Sequence, residues 1–138
     1  MANRAVLIMT HGEFGIELVK SAEMIMGPQE NVDALALRPG HSVDELREQA
    51  NEILERNKEK GLETIVLVDL FGGSPSNVAL SLLGKHDVKI ITGVNMPMLI
   101  ELLTFYKTED DTEKLVDTFT NTGVNGIRKL DRQFFKKD

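Results

Sequence analysis

Residues 66–80, VLVDLFGGSPSNVAL, contain the pattern that decides the fold of this 138-residue chain. An apolar run that starts at Thr64 ends in the acid Asp69, and Gly72 and Gly73 follow as a flexible turn. Ser74 before a proline is typical of a helix N-terminus, with the serine as cap and the proline at the first helical position. The stretch therefore predicts a buried strand, a tight turn and a helix, with a carboxylate at the strand tip.

A second stretch, VLIMTHGEFG at residues 6–15, repeats this arrangement with a histidine. The short apolar run 5–10 predicts a strand buried on both faces, which ends at His11 and Gly12. Apolar side chains at helical spacing over 14–26 predict the next helix, and Gly27 ends it. Two strands of the chain thus carry a reactive side chain at their carboxyl ends.

The remaining elements continue the alternation of strand and helix. We expect strands at 32–37, 64–70 and 88–93, and helices from the Ser42 capping box to about 60, from 75 to 83, over 97–105 and over 112–121. Such alternation predicts an α/β fold, a three-layer α/β/α sandwich around a mostly parallel four-stranded sheet in the order 2-1-3-4. We expect one domain over residues 1–138.

In that order strands 1 and 3 are neighbours, about 4.8 Å apart. An imidazole at the tip of one strand then reaches a carboxylate at the tip of the other. A buried carboxylate needs a partner, and His11 is the nearest candidate for Asp69. A His–Asp pair fixes one ring nitrogen as N–H and frees the other as a base or nucleophile.

The glycine turn adds an anion site to this pair. Backbone N–H groups at the start of a helix attract phosphate, and the Ser74 hydroxyl supplies another donor beside Gly72 and Gly73. Histidine, orienting acid and anion-binding helix start together suggest a phosphohistidine site. No further His or carboxylate cluster offers a metal site, and we expect no cofactor.

Other candidates are weaker. His41 precedes a capping box and is expected at the surface, and His86 is expected to be structural at the opposite edge of the sheet. The segment 93–99 follows strand 4 at the reactive edge, where Asn95, Met96 and Pro97 are expected to help dock a protein partner.

Composition excludes several classes of protein. Acids outnumber bases by 22 to 16, which gives a net charge of −6 and argues against nucleic-acid binding. The absence of cysteine excludes disulfides and thiolate chemistry. No apolar run approaches the roughly 18 residues of a membrane span, and no signal peptide is evident, so we expect a cytoplasmic protein.

Three blocks of the sequence resemble the signatures of the mannose-family EIIA domain of the bacterial sugar phosphotransferase system. They are MTHGEFGIELVKSAEMIMG at 9–27, DLFGGSPSN at 69–77 and GVNMPMLIELL at 93–103. The resemblance runs from about residue 4 to 130. Because the chain ends at residue 138, we expect a free-standing EIIA without a fused EIIB domain.

The resemblance implies a function. Phospho-HPr donates a phosphoryl group to His11, which passes it to EIIB while a membrane permease of EIIC and EIID components takes up the sugar. Asp69 orients the histidine, and Ser74 with nearby amides contacts the phosphoryl group. Family members are homodimers that exchange a C-terminal strand, here Val124–Leu130.

Three other interpretations stay open at this stage. The nearest is the phosphotransfer subunit of a dihydroxyacetone-kinase system, which shares the fold and histidine chemistry. A receiver domain carries its phosphorylated aspartate where Asp69 lies. It also needs an acidic pair at the end of strand 1, whereas this chain has Thr10-His11-Gly12 there. A non-catalytic flavin or anion binder is disfavoured by a single tyrosine and no tryptophan. The transported sugar is not encoded in this chain, since EIIA does not bind it.

Overall fold

The computed structural model describes residues 2–136 and contains a four-stranded parallel sheet in the order β2-β1-β3-β4. The strands are β1 Arg4–His11, β2 Val32–Leu37, β3 Glu63–Val68 and β4 Lys89–Thr92. The predicted order is confirmed. Because β1 and β3 occupy the middle, their apolar runs are buried on both faces, which explains why neither run alternates with polar residues.

Helices cover both faces of the sheet. They are α1 Phe14–Met26, α2 Val43–Glu59, α3 Gly73–Leu82, α4 Met96–Phe105, α5 Thr112–Asn125 and the short α6 Arg132–Phe135. Val6 and Ile8 pack with residues of α1, α4 and α5, whereas Leu7 and Met9 pack with residues of α2 and α3. These two apolar clusters make the three-layer sandwich that the alternation predicted. Over residues 2–136, no helix is long and apolar enough to cross a membrane.

The start of α3 differs from the prediction. The helix begins at Gly73 with Gly72 as its N-cap residue, so Ser74 and Pro75 lie inside the first turn. Gly72 and Gly73 have φ values of 98° and 81°, which side-chain-bearing residues rarely adopt. The two glycines therefore turn the chain into the helix earlier than the Ser-Pro signal indicates.

The C-terminal segment also differs, and the strand predicted at Val124–Leu130 is wrong for the isolated chain. Val124 ends up in the last turn of α5, and residues 126–131 are irregular. The helix continues past residue 121 because Gly123 fits closely against Met98 and its carbonyl accepts a hydrogen bond from Asn95 Nδ2, 2.9 Å away. Exchange of this segment between subunits stays a prediction.

The tail after α5 carries two phenylalanine residues. In the structure Phe134 and Phe135 are exposed and stack edge to face on each other, with ring centroids 6.3 Å apart. Neither ring is buried within the described part of the chain. The last two residues of the tail, 137 and 138, lie outside the described part of the chain.

Candidate functional site

His11 and Asp69 meet at the carboxyl edge of the sheet. His11 is the last residue of β1, and Asp69 directly follows β3. The ring Nδ1 of His11 lies 2.8 Å from Asp69 Oδ2, and the backbone N–H of His11 donates to the same oxygen at 3.0 Å. The other oxygen, Oδ1, accepts the backbone N–H of Leu70 at 3.1 Å. One carboxylate thus holds both the backbone and the ring of His11.

The parallel register produces this meeting. Met9 of β1 is paired with Val68 of β3, so the residue after β3 lies beside the end of β1. On the other side of β1, the backbone N–H of Gly12 donates to the carbonyl of Leu37 at 2.7 Å. The His11 backbone is therefore fixed from both neighbouring strands.

His11 and Asp69 differ in how far their side chains are exposed to solvent. The His11 side chain is 50% exposed, whereas that of Asp69 is 14% exposed. Partial burial raises the pKa of Asp69, but hydrogen bonds from the backbone and ring of His11, with the attraction of its ring, outweigh burial and hold that pKa below its ordinary value. Asp69 is therefore a carboxylate at neutral pH, able to accept a hydrogen bond from Nδ1–H of His11 and leave Nε2 free.

The free nitrogen of His11 faces the start of α3. A Cβ built on Gly73 would lie 3.3 Å from Nε2 and 3.1 Å from Cε1 of His11. A glycine suits this approach, because a side chain would be strained at φ 81° and its Cβ would crowd the His11 ring. The predicted residues Gly72, Gly73 and Ser74 form the N-cap and first two residues of α3 at this position, where helix N–H groups favour an anion.

A buried hydroxyl that the sequence pattern does not single out supports the loop after His11. Thr10 is fully buried and its Oγ1 accepts the backbone N–H of Gly15 at 2.8 Å. A Cβ on Gly15 would come within 2.9 Å of Ile8 Cγ2, so α1 packs directly on β1. The one available signal was the glycine inside an otherwise helical pattern, which often marks close packing.

The segment 93–99, which is expected to help dock a protein partner, holds α4 and α5 together. Asn95 caps α4 by accepting the N–H of Met98 at 3.0 Å, and it also donates to α5. A Cβ on Gly126 would lie 2.5 Å from Pro97 Cγ, so the end of α5 fits against the start of α4. Asn95, Met96 and Pro97 are partly buried. Their role in docking stays a prediction.

The other two histidines lie apart from the pair. His86 is buried, with Nε2 2.7 Å from Asn51 Oδ1, and Glu55 lies 3.7 Å away. His41 is exposed and lines a cleft with Ser42 and other residues at the start of α2. The structure therefore brings together His11, Asp69 and the start of α3, and leaves His41 and His86 in other surroundings.

Comparison with known proteins identifies relatives for this arrangement. The family model described as PTS system fructose IIA component matches residues 5–120. The chain is 37% identical over 128 residues to the mannose-specific EIIAB component of Escherichia coli strain K12, covering 91% of this chain and 39% of that protein. It is 36% identical over 101 residues to the fructose-specific EIIA component of Bacillus subtilis strain 168, covering 72% of this chain and 68% of that protein.

A solved structure shows the same fold at comparable identity. It is the crystal structure of the PTS IIA protein associated with the fucose utilization operon from Streptococcus pneumoniae, with a TM-score of 0.82 and 34% identity. The match covers 97% of this chain and 99% of that one. The chain spans about two fifths of the length of the mannose-specific EIIAB relatives. The chain belongs to the mannose-type family of EIIA components of the sugar phosphotransferase system.

Proposed function

We propose that this protein is a phosphoryl carrier that accepts a phosphoryl group from phospho-HPr on His11 and passes it to EIIB during sugar uptake. One observation carries the proposal: Asp69 binds Nδ1 of the ring, and Nε2 is left beside the glycine turn at the start of α3. Membership of the EIIA family supports the sugar system over the dihydroxyacetone-kinase alternative.

In the first transfer, the Nε2 lone pair of neutral His11 attacks the phosphorus of the donor phosphohistidine. The new N–P bond forms as the donor N–P bond breaks. The donor ring, protonated on its other nitrogen, leaves as neutral imidazole. The proton on Nδ1 stays on His11, and the Asp69 carboxylate balances the positive charge that develops on the ring.

The start of α3 stabilises the transferred group. Gly73 lies against Nε2, so a phosphoryl group on that nitrogen comes next to the first turn of the helix. Backbone N–H groups of this turn are unpaired within a helix and point toward its N-terminus. We assign Gly72, Gly73 and Ser74 to binding the phosphoryl oxygens.

The same arrangement prepares the second transfer. A nucleophile of EIIB attacks the phosphorus, and the bond between phosphorus and Nε2 breaks. Because Nδ1 already carries a proton, the His11 ring leaves as neutral imidazole without waiting for a proton from water. Asp69 keeps that proton in place in both steps.

The proposal includes a homodimer that exchanges the C-terminal segment. β4 is the last strand of the sheet, so one side of it has no strand partner among residues 2–136 of the isolated chain. Val124, Ile127 and Leu130 are exposed in the segment that would pair with the β4 of a second copy. The membrane permease takes part only through EIIB.

Transfer of label from radioactive phospho-HPr tests the proposal. The native protein should acquire an acid-labile, alkali-stable phosphate, as expected of phosphohistidine. His11→Gln should abolish labelling, while His41→Gln, at an exposed histidine outside the pair, should keep it. Label that persists in His11→Gln, or a bond that survives acid, contradicts the proposal.

A further inference from the structure

A cavity of about 200 Å³ opens at the amino edge of the sheet, the edge opposite His11. It is lined by the end of α2, the start of β3 and the link between α3 and β4. The six residues of β3 separate it from Asp69 by roughly 20 Å, at about 3.3 Å per residue. The cavity has room for about six or seven water molecules, and it is no part of the site that contains His11.

His86 lines this cavity with a side chain that is only 4% exposed. Its Nε2 lies 2.7 Å from Asn51 Oδ1 and 3.7 Å from Glu55 Oε1, and these two acceptors place the proton of the neutral ring on Nε2. Nδ1 is then an acceptor, and it has no hydrogen-bond partner within residues 2–136. Thr120 Oγ1 is the one sealed and unpaired side-chain atom of that range, so Nδ1 of His86 is accessible from the cavity that the residue lines. A buried ring with one unpaired nitrogen points to a ligand at that nitrogen.

Two lysines on the cavity wall carry unpaired ammonium groups. Within the described part of the chain four other lysines form ion pairs, but Lys58 and Lys85 do not. Glu63 also lines the cavity, but the buried guanidinium of Arg4, 2.9 Å away, neutralises its charge. Asp87, the residue after the histidine, is an exposed carboxylate on the same wall. The cavity therefore offers a ligand two cations and, as hydrogen-bond acceptors, the ring Nδ1 and the Asp87 carboxylate.

We propose that this cavity binds a small hydroxylated phosphate ester. The phosphate lies between the ammonium groups of Lys58 and Lys85, while hydroxyl groups of the ligand donate to His86 Nδ1 and to Asp87. A neutral polyol leaves both cations without an anion, and inorganic phosphate leaves the acceptors without the hydroxyl donors that the ester supplies. Space for six or seven water molecules suits an ester of about three carbons. Binding here involves no covalent step and is separate from phosphoryl transfer at His11.

Glycerol 3-phosphate is the probe that tests the proposal, with glycerol and inorganic phosphate as its two halves. In NMR of ring-labelled native protein, glycerol 3-phosphate should shift the Nδ1 signal of His86 in a saturable way. Glycerol and inorganic phosphate should each bind at this site about tenfold or more weakly than the ester, because each lacks one set of contacts. The absence of a saturable shift at His86, or binding of either half as tight as that of the ester, overturns the proposal.

Lysine variants test the anion contacts without disturbing a buried side chain. Lys58→Gln and Lys85→Gln should each weaken binding of glycerol 3-phosphate about fivefold or more, since each removes one charge-assisted contact. Lys60→Gln is the matched control, because Lys60 is exposed at the end of α2 and does not line the cavity. It removes the same charge and should bind the ester as the native protein does.

An equal loss in Lys60→Gln overturns the proposal, because it would reduce the effect to overall charge. Native binding in both Lys58→Gln and Lys85→Gln overturns it as well. All three variants should be labelled on His11 by phospho-HPr at the native rate. The test of this cavity is therefore distinct from the test of the proposed function, which depends on His11 and Asp69.

Discussion

At the scale of single residues, the site depends on how one carboxylate is shared. Asp69 Oδ2 accepts both the backbone N–H and the ring of His11, while Oδ1 accepts the N–H of Leu70. These hydrogen bonds favour the charged form of Asp69 more than partial burial disfavours it, so its pKa is lowered. The pair is therefore a source of stability as well as of reactivity.

The lowered pKa of Asp69 predicts a pH-dependent contribution to stability. Above the ordinary carboxyl pKa of about 4, Asp69 is charged in both folded and unfolded chains and its contribution is complete. As pH falls below that value, the unfolded chain takes up a proton first, and the contribution is lost.

Urea unfolding of native protein and Asp69→Asn measures this effect. The native advantage in free energy of unfolding should shrink as pH falls from about 5 toward 3. An advantage that grows over this range contradicts the assignment.

Gly73 should not tolerate a side chain. Gly73→Ala would force an alanine to φ 81° and push a methyl group toward Nε2 of His11, at a strain cost of about 1–2 kcal/mol. We expect labelling by phospho-HPr to fall about tenfold or more. Gly93→Ala is the control, because Gly93 has φ 79° with nothing within 4 Å. It should lose stability but keep its labelling rate, and equal rates in the two variants would refute the role of Gly73.

Sequence reasoning found the pair but not its supports. His11 and Asp69 were predictable because each ends an apolar run, and parallel strands bring such ends to one edge. The closeness of Gly73 to Nε2 and the bond between Thr10 and Gly15 depend on distances across elements, which no local pattern encodes. The exposure of Phe71 was missed because aromatic residues beside an apolar strand usually indicate burial.

At the scale of elements, prediction was best where one local signal acts alone. The bounds of α1 and β2 agree with the prediction, since Gly27 and the alternation of residues 32–37 mark them clearly. At α3 two signals competed, and the glycine turn determined the start rather than Ser74 and Pro75. At α5, contact with α4 extended the helix through Gly123 beyond the predicted end.

The packing of α1 on β1 predicts a sensitive position at Gly15. Gly15→Ala gains up to about 1 kcal/mol of helix propensity but forces a methyl group within 2.9 Å of Ile8 and 3.0 Å of Thr10. Overpacking of this kind costs about 1–3 kcal/mol, so we expect a net loss of thermal stability. Gly84→Ala, whose nearest contact is an ordinary 3.8 Å, should keep or slightly raise the melting temperature. A Gly15→Ala variant as stable as native would show that α1 can move away from the sheet.

At the scale of the whole molecule, the order of the sheet followed from few allowed topologies. Right-handed crossovers and an alternating chain leave 2-1-3-4 as a common solution, and the structure has it. The C-terminal segment was not predictable in the same way. Its proposed strand requires the β4 edge of a second copy, so a single chain leaves it irregular after Gly126.

If the C-terminal segment is exchanged between two copies, the dimer cannot form without it. The native protein should sediment near twice the 15.4 kDa chain mass. A chain that ends at Gly126 keeps the contact with Pro97 but should sediment as a monomer. Leu130→Asp, which places a charge in the proposed strand, should weaken the dimer without shortening the chain. A monomeric native protein, or a truncated chain that dimerises as tightly, would refute the exchange.

The central claim is that His11 accepts the phosphoryl group on Nε2 while Asp69 holds the proton on Nδ1. NMR of the ring nitrogens in isotope-labelled protein, before and after treatment with phospho-HPr, tests it most directly. We expect coupling to phosphorus at Nε2 of His11 and a retained Nδ1–H, and we expect Asp69→Asn to mix the two tautomers of the unphosphorylated ring. Phosphorus bonded to Nδ1, or to any residue other than His11, would contradict the account.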